Sequence, residues 1–190
     1  SSDLISWYQL TIEPNTVFYR QPPPLPVDEV LWDIQQAGLA LLQNHGFQQY
    51  EVSAFAREVN DELHACRHNL NYWQFGDYLG IGAGAHSKLS FPHRIVRQER
   101  LRDPRLYMAG ATKGEPLANE TEVGRADLSF EFMLNALRLR EGFELSRFVE
   151  RTGLPLSAIA APLAEAQTRG LIEPANGWLK PTPRGFDFLS

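Results

Sequence analysis

The sequence predicts an α/β chain: a strand–helix–strand unit with a parallel sheet in its first part, followed by a small helical module of winged-helix type. Three observations carry this reading. An apolar strand, a proline-rich loop, a helix of 3.6-residue period and a second strand follow one another between Leu4 and Phe55. After Gly124, three helical stretches precede a hairpin on an Asn-Gly turn. With 43% apolar and 22% charged residues and no apolar run near the roughly 20 residues of a membrane span, both parts read as globular.

Residues 4–12 (LISWYQLTI) are apolar without alternation, which suits a strand buried on both faces of a parallel sheet. A first strand of that kind needs neighbours on both sides, so the chain is expected to be a piece of a longer protein. Pro14 and then residues 21–26 (QPPPLP) form a stiff extended loop, because proline fixes φ and continues neither helix nor central strand. A helix follows. Asp28, Glu29 and Asp33 occupy its first turns, Val30, Leu31, Ile34, Leu41 and Leu42 share one side, and Gly46 supplies the left-handed residue after its end. Residues 47–55 (FQQYEVSAF) complete the unit as a second strand. Ligands collect at the carboxyl ends of such strands, where Thr11, Glu13, Glu51 and Ser53 are placed.

Residues 77–86 (DYLGIGAGAH) resemble a strand with glycine at every second position, so one face carries no side chain and something approaches the backbone closely. A ligand or a neighbouring element fits equally well. A dinucleotide fingerprint does not, because no helix opens at the third glycine. His86, at the end, is placed either to reach a ligand or to cap a loop carbonyl. Just upstream, His68, Asn69, Tyr72 and Trp73 (HNLNYW) combine an imidazole for iron, an amide to fix its tautomer and flat rings for a macrocycle. The alternative is a hydrogen-bonded histidine at a helix start.

Residues 94–98 read as an edge strand, 103–108 as a short helix and 112–124 as a polar connector, which divides the chain into domains at 1–112 and 124–190. In the second, Asp127 is expected to cap a helix with Phe130, Met133, Leu134 and Leu137 on one face and Gly142 closing it. Helices over 145–151 and 157–169 follow, then a hairpin over 171–179 turning at Asn176-Gly177 and a final helix from Thr182-Pro183.

The segments 5–16 (ISWYQLTIEPNT), 50–56 (YEVSAFA) and 68–86 (HNLNYWQFGDYLGIGAGAH) resemble the oxygen-independent coproporphyrinogen III oxidase family of radical S-adenosylmethionine proteins, most nearly its haem-chaperone branch. The likeness continues through 104–107 (PRLY), 131–135 (EFMLN) and 162–166 (PLAEA), covering nearly the whole chain. It implies a partial (β/α) barrel followed by a helical winged-helix-like C-terminal domain. It also implies a C-x3-C-x2-C loop for a [4Fe-4S] cluster, whose free iron binds S-adenosylmethionine. The single cysteine, Cys66, cannot supply three thiolates, so the chain is expected to be the carboxyl-terminal portion of its parent and unable to cleave S-adenosylmethionine alone.

Carried over by position, the resemblance makes Thr11, Gly82, Gly84 and His86 contacts of the S-adenosylmethionine pocket. His68, Asn69, Tyr72 and Trp73 match the branch's H-N-x-x-Y-W haem motif, with His68 as the iron ligand. The oxidase branch reads nearer R-N-F-Q-G-Y there. Haem binding and delivery to an acceptor protein is therefore the expected function, and conversion of coproporphyrinogen III to protoporphyrinogen IX the alternative.

Winged-helix DNA binding is the rival from another class. A formal charge of −5 leaves no electrostatic footprint for nucleic acid, and residues 156–169 offer only Gln167 and Arg169, opposed by Glu165. The cluster Arg138, Arg140, Arg147 and Arg151 reads as a solvated face or as partners for haem propionates. The opening SSDLISWYQL lacks the basic and apolar regions of a signal peptide, which makes the cytoplasm the expected compartment.

Overall fold

The computed structural model describes residues 3–60 and 62–189. Contacts divide the chain into a unit ending at Cys66 and a second, Arg67–Leu189.

In the first unit, β1 (Leu4–Ser6) is shorter than the expected strand, and residues 7–13 run on without a ladder. Thr16 caps the single turn α1 (Val17–Arg20) by accepting from the Tyr19 amide. The long helix α2 (Asp28–Asn44) forms as its spacing dictates, with Asp28 and Glu29 against the positive end of the dipole and Gly46 at φ +78° after the His45 cap. Gly38 in mid-helix has a packing reason. A Cβ there would lie 2.2 Å from the Trp7 indole, which covers this turn and also meets Phe55, ring centroids 6.3 Å apart.

The expected second strand is two: β2 (Phe47–Glu51) and β3 (Ala54–Val59), reversing at Val52-Ser53. β3 inserts between β1 and β2, and the short β4 (Glu62–Leu63) also pairs with it; every pairing is antiparallel. β1 and β2 thus share a direction, as a strand–helix–strand unit demands, but are not neighbours. The α/β class holds and the parallel pairing does not. At the reversal, a register shift at Gln49/Glu51 frees the ladder, and the Ser53 hydroxyl donates to the buried Glu51 carboxylate at 3.0 Å. Phe47, Tyr50, Phe55 and Ala56 form this unit's interior.

The second unit begins with α3 (Arg67–Trp73). The glycine-rich stretch is no strand: it is a loop with one isolated pairing, Tyr78 with Lys88, and positive φ at Gly82 (+112°) and Gly84 (+69°). β5 (His86–Phe91), β6 (Arg94–Arg100) and, after α4 (Pro104–Lys113), β7 (Leu117–Glu122) make an antiparallel sheet in the order β5-β6-β7. β6 is therefore central, not an edge, and the expected connector contains a strand. Asp103 caps α4 by accepting from the Arg105 and Leu106 amides.

Helix α5 (Arg125–Ala136) starts from Gly124, with Asp127 in its first turn instead of at the cap, and gives way at Leu137 before Gly142. β8 (Phe143–Glu144) leads into α6 (Leu145–Thr152); a 3-10 turn at Leu156–Ala158 precedes α7 (Ala160–Thr168). β9 (Ile172–Ala175) and β10 (Trp178–Pro181) form the expected hairpin on Asn176 (φ +49°) and Gly177 (φ +84°), and β8 completes the sheet β8-β10-β9. Thr182 caps α8 (Pro183–Asp187). The core centres on fully buried Phe132, which meets Phe75, Phe143 and Phe148 edge-on at 5.6, 5.1 and 5.3 Å. Each such ring contributes about 1.5–3 kcal/mol of burial. Phe75 belongs to the turn after α3, so this core also fixes the end of the helix that carries the histidine.

Candidate functional site

His68 and Tyr72 stand one helical turn apart on α3, a spacing that brings side chains together. The imidazole and the phenol ring meet edge-to-face, centroids 4.6 Å apart at 87°. Tyr78, from the loop beyond, packs on Tyr72 at 4.5 Å and 60°. His68 is exposed, and beyond the Tyr72 ring its imidazole enters no hydrogen bond or ion pair among the described residues. Asn69 is half-buried and engaged in the protein. Trp73 is half-buried beneath Arg138, whose guanidinium carbon lies 4.3 Å from a ring centroid, and its indole N–H finds no acceptor among the described residues.

Sequence forces the end of α3 into one shape. Asn71 donates through Nδ2 to the Asp77 carbonyl at 2.9 Å, and its own carbonyl accepts from the Gly76 amide at 2.7 Å. A Cβ on Gly76 would sit 2.1 Å from Asn71 Oδ1, so only glycine fits. Phe75 adopts φ +57°, unfavourable for a side-chain-bearing residue, and is held there by burial and by Lys88. Lys88, 2% exposed on β5, donates to the Phe75 carbonyl at 3.0 Å and to Asp77 Oδ1 at 3.2 Å, with its ammonium 4.1 Å from the Phe75 ring centroid. Burial is the largest influence on Lys88 and overrides the Asp77 carboxylate, so the amine titrates below the ordinary lysine range. Burial pushes the Asp77 carboxyl up, but hydrogen bonds from the Ser90 hydroxyl and backbone N–H, together with Lys88, outweigh it and hold the group below its usual range.

The glycine stretch is pinned to its own unit. Gly80 donates to Ser87 Oγ at 3.0 Å and accepts from Arg100 Nε at 3.2 Å, and a Cβ there would come within 2.1 Å of the His86 carbonyl oxygen. At Gly80 the close approach is therefore that of a neighbouring strand. The Gly82 amide donates to the Tyr107 hydroxyl at 3.1 Å, and the Gly84 amide to the Leu101 carbonyl at 2.9 Å. A Cβ on Gly82 would face open space. His86 Nε2 lies 3.7 Å from Glu99 Oε1 on the paired strand. Thr11 belongs to the first unit, exposed on the extended run just past Gln9. A cavity of about 310 Å³ opens there between α2 and the sheet, lined by Trp7, Gln9, Ile34, Gln49 and Phe55 among others; Thr11 does not line it.

The structure thus joins His68 with Tyr72, sets Trp73 against Arg138, and pairs His86 with Glu99. Sequence reasoning missed Tyr78, Lys88, Arg97 and Glu131, which converge on the end of α3 from distant positions and carry no local pattern. An exposed imidazole with no hydrogen bond among the described residues, beside two flat rings, fits a haem as ligand. A [4Fe-4S] cluster does not fit this chain, which has one cysteine and, among its described residues, no group of three His, Cys, Asp or Glu side chains able to hold a metal.

Fold and site define a two-part α/β protein with a winged-helix-like C-terminal module and a helix presenting an exposed histidine. Residues 124–188 match the HemN C-terminal domain family. The chain is 44% identical over 187 residues to the Heme chaperone HemW of Escherichia coli (strain K12), covering 98% of this chain and 47% of that protein. It is 47% identical over 176 residues to the Heme chaperone HemW of Haemophilus influenzae, covering 92% and 44%. The solved structure described as "Coproporphyrinogen III oxidase (HemN) from Escherichia coli is a Radical SAM enzyme" matches with a TM-score of 0.69 at 18% identity, over 100% of this chain and 46% of that one; this shows the fold alone. Residues 124–188 thus carry the HemN C-terminal domain, and the chain as a whole is similar to these HemW proteins while spanning about half the length of the curated relatives it matches. Among the described residues, no helix is long and apolar enough to cross a membrane.

Proposed function

We propose that this chain supplies the haem-holding part of a haem chaperone, with His68 as the iron ligand, Asn69, Tyr72 and Trp73 bordering the macrocycle, and a haem-acceptor protein in the cytoplasm as the recipient. The observation that supports it is the exposed imidazole of His68, which has no hydrogen bond or ion pair among the described residues and stands nearly perpendicular to the Tyr72 ring. The kinship with two proteins named as haem chaperones points the same way. Haem, when bound, would supply an iron centre; His68 would hold it through a ring nitrogen, with Asn69, Tyr72 and Trp73 beside it. Thr11, Gly82, Gly84 and His86 are assigned to the S-adenosylmethionine pocket of the whole protein, whose cluster needs thiolates that this chain does not contain.

The oxidase alternative draws on a likeness of fold and is not preferred. Nucleic acid is not among the proposed partners: Arg169, which follows α7 as its C-terminal cap, already lies 3.6 Å from Glu165. Adding ferric haem to the wild-type protein is expected to give a saturable Soret band that is shifted and weakened in His68→Ala. Identical spectra and affinity in the two proteins would remove the assignment.

A further inference from the structure

Tyr78 lies ten residues beyond His68, outside the haem motif, yet it backs the motif's tyrosine. Its ring packs on Tyr72 at 4.5 Å, and Tyr72 in turn meets the His68 imidazole at 4.6 Å. Tyr78 is itself fixed at both ends. Its backbone exchanges two hydrogen bonds with Lys88, N–H to carbonyl at 3.0 Å in each direction, and Lys88 is anchored in the interior beside Phe75. Its hydroxyl accepts from Arg97 at 3.3 Å, and Arg97 is paired with Glu131 of α5 through Nε at 3.2 Å and a terminal nitrogen at 2.5 Å.

We propose that Tyr78, oriented by the Arg97–Glu131 pair, is the positioning residue that fixes Tyr72 and, through it, the plane of the His68 imidazole. The inference rests on the haem reading above. A ring on an exposed helix turn is otherwise free to rotate about two bonds, and an axial imidazole whose plane wanders gives a heterogeneous ligand field. Two aromatic contacts in series remove that freedom only if the last ring is immobile. A loop backbone bridged to Lys88 by two hydrogen bonds and a guanidinium held by Glu131 make it so. The same chain of contacts ties His68 to α5, the first helix of the HemN C-terminal domain. That domain thereby acts on the ligand without touching it.

The test uses the full protein loaded with ferric haem and reads affinity from the Soret band and ligand-field spread from electron paramagnetic resonance line widths. Tyr78→Leu is expected to weaken haem binding roughly three- to tenfold, the range of one lost aromatic contact, and to broaden the lines. Tyr78→Phe keeps the ring and loses the hydroxyl. It should restore most of the affinity and give the same small broadening as Arg97→Gln, with no further effect when the two are combined. A folded Tyr78→Leu with wild-type affinity and line widths, beside a His68→Ala that has lost the spectrum, overturns the relay and leaves the haem reading standing. If His68→Ala is silent, the haem reading falls and takes the relay with it. Should circular dichroism show Tyr78→Leu unfolded, wild-type line widths in both Tyr78→Phe and Arg97→Gln overturn the proposal.

Discussion

The rings of His68 and Tyr72 stand nearly at right angles, 4.6 Å between centroids, one helical turn apart along α3. A T-shaped ring contact is worth about 0.5–1.5 kcal/mol in folded proteins. The contact orients the imidazole, and its nitrogens make no hydrogen bond among the described residues. Tyr72→Ala is therefore expected to lower haem affinity by roughly three- to tenfold while leaving a histidine-ligated spectrum. Loss of the ligation signature itself in a folded Tyr72→Ala would show that the ring does more than orient.

The strained turn at Phe75 depends on Lys88. Lys88→Met keeps the length of the side chain but leaves the Phe75 carbonyl without its donor and Asp77 without its ammonium. Urea unfolding should report a loss of about 1–3 kcal/mol at unchanged slope. An unaltered midpoint would mean that burial of Phe75 alone holds the turn.

Asp77 and Lys88 give stability a pH dependence of one sign. Each titrates lower in the folded protein than in the unfolded chain, so the unfolded state binds more protons between the two values and stability rises with pH there. For Asp77 this contribution is fully present above the ordinary 3.8 and disappears as acid protonates the folded carboxyl below it. For Lys88 the cost of burying the charge is relieved as pH climbs toward 10.5. Urea midpoints followed through the acid range should fall more steeply for wild type than for Asp77→Asn. Parallel curves would contradict this.

Two glycines with similar backbone angles separate strain from space. Gly153 (φ +66°) faces open surroundings, and Gly153→Ala should cost roughly 1–2 kcal/mol from the left-handed backbone alone. Gly142 (φ +70°) would place a Cβ 2.0 Å from the Leu179 carbonyl oxygen of β10, so Gly142→Ala adds overpacking of roughly 1–3 kcal/mol to the same strain. Thermal unfolding of the pair should rank Gly142→Ala clearly lower; equal melting temperatures would refute the packing argument.

Elements with local chemistry were legible. The periodic apolar residues of α2, the Asn176-Gly177 turn and the Thr182-Pro183 cap each specify their structure within a few neighbours. The reversal at Val52-Ser53 was not, because β-branched Val52 continues the strand pattern and the break comes from a register shift against β3. Glycine at every second position imitated a strand, whereas Gly82 and Gly84 serve positive φ and Gly80 serves contact with β5. β7 (LANETE) is exposed along its length and so lacks the alternation that marks a half-buried strand. In the site, His68 and Tyr72 could be paired from their spacing. Tyr78, Arg97 and Glu131 meet only through tertiary structure, from sequence separations of 19 and 34 residues.

Haem holding by this chain requires a bond between a His68 nitrogen and the iron. Electron paramagnetic resonance of the ferric-haem protein, compared with His68→Ala before and after adding free imidazole, measures that bond directly. Loss of the wild-type ligand field in the variant and its return with imidazole is the predicted result. A variant whose signal already equals that of wild type would contradict it.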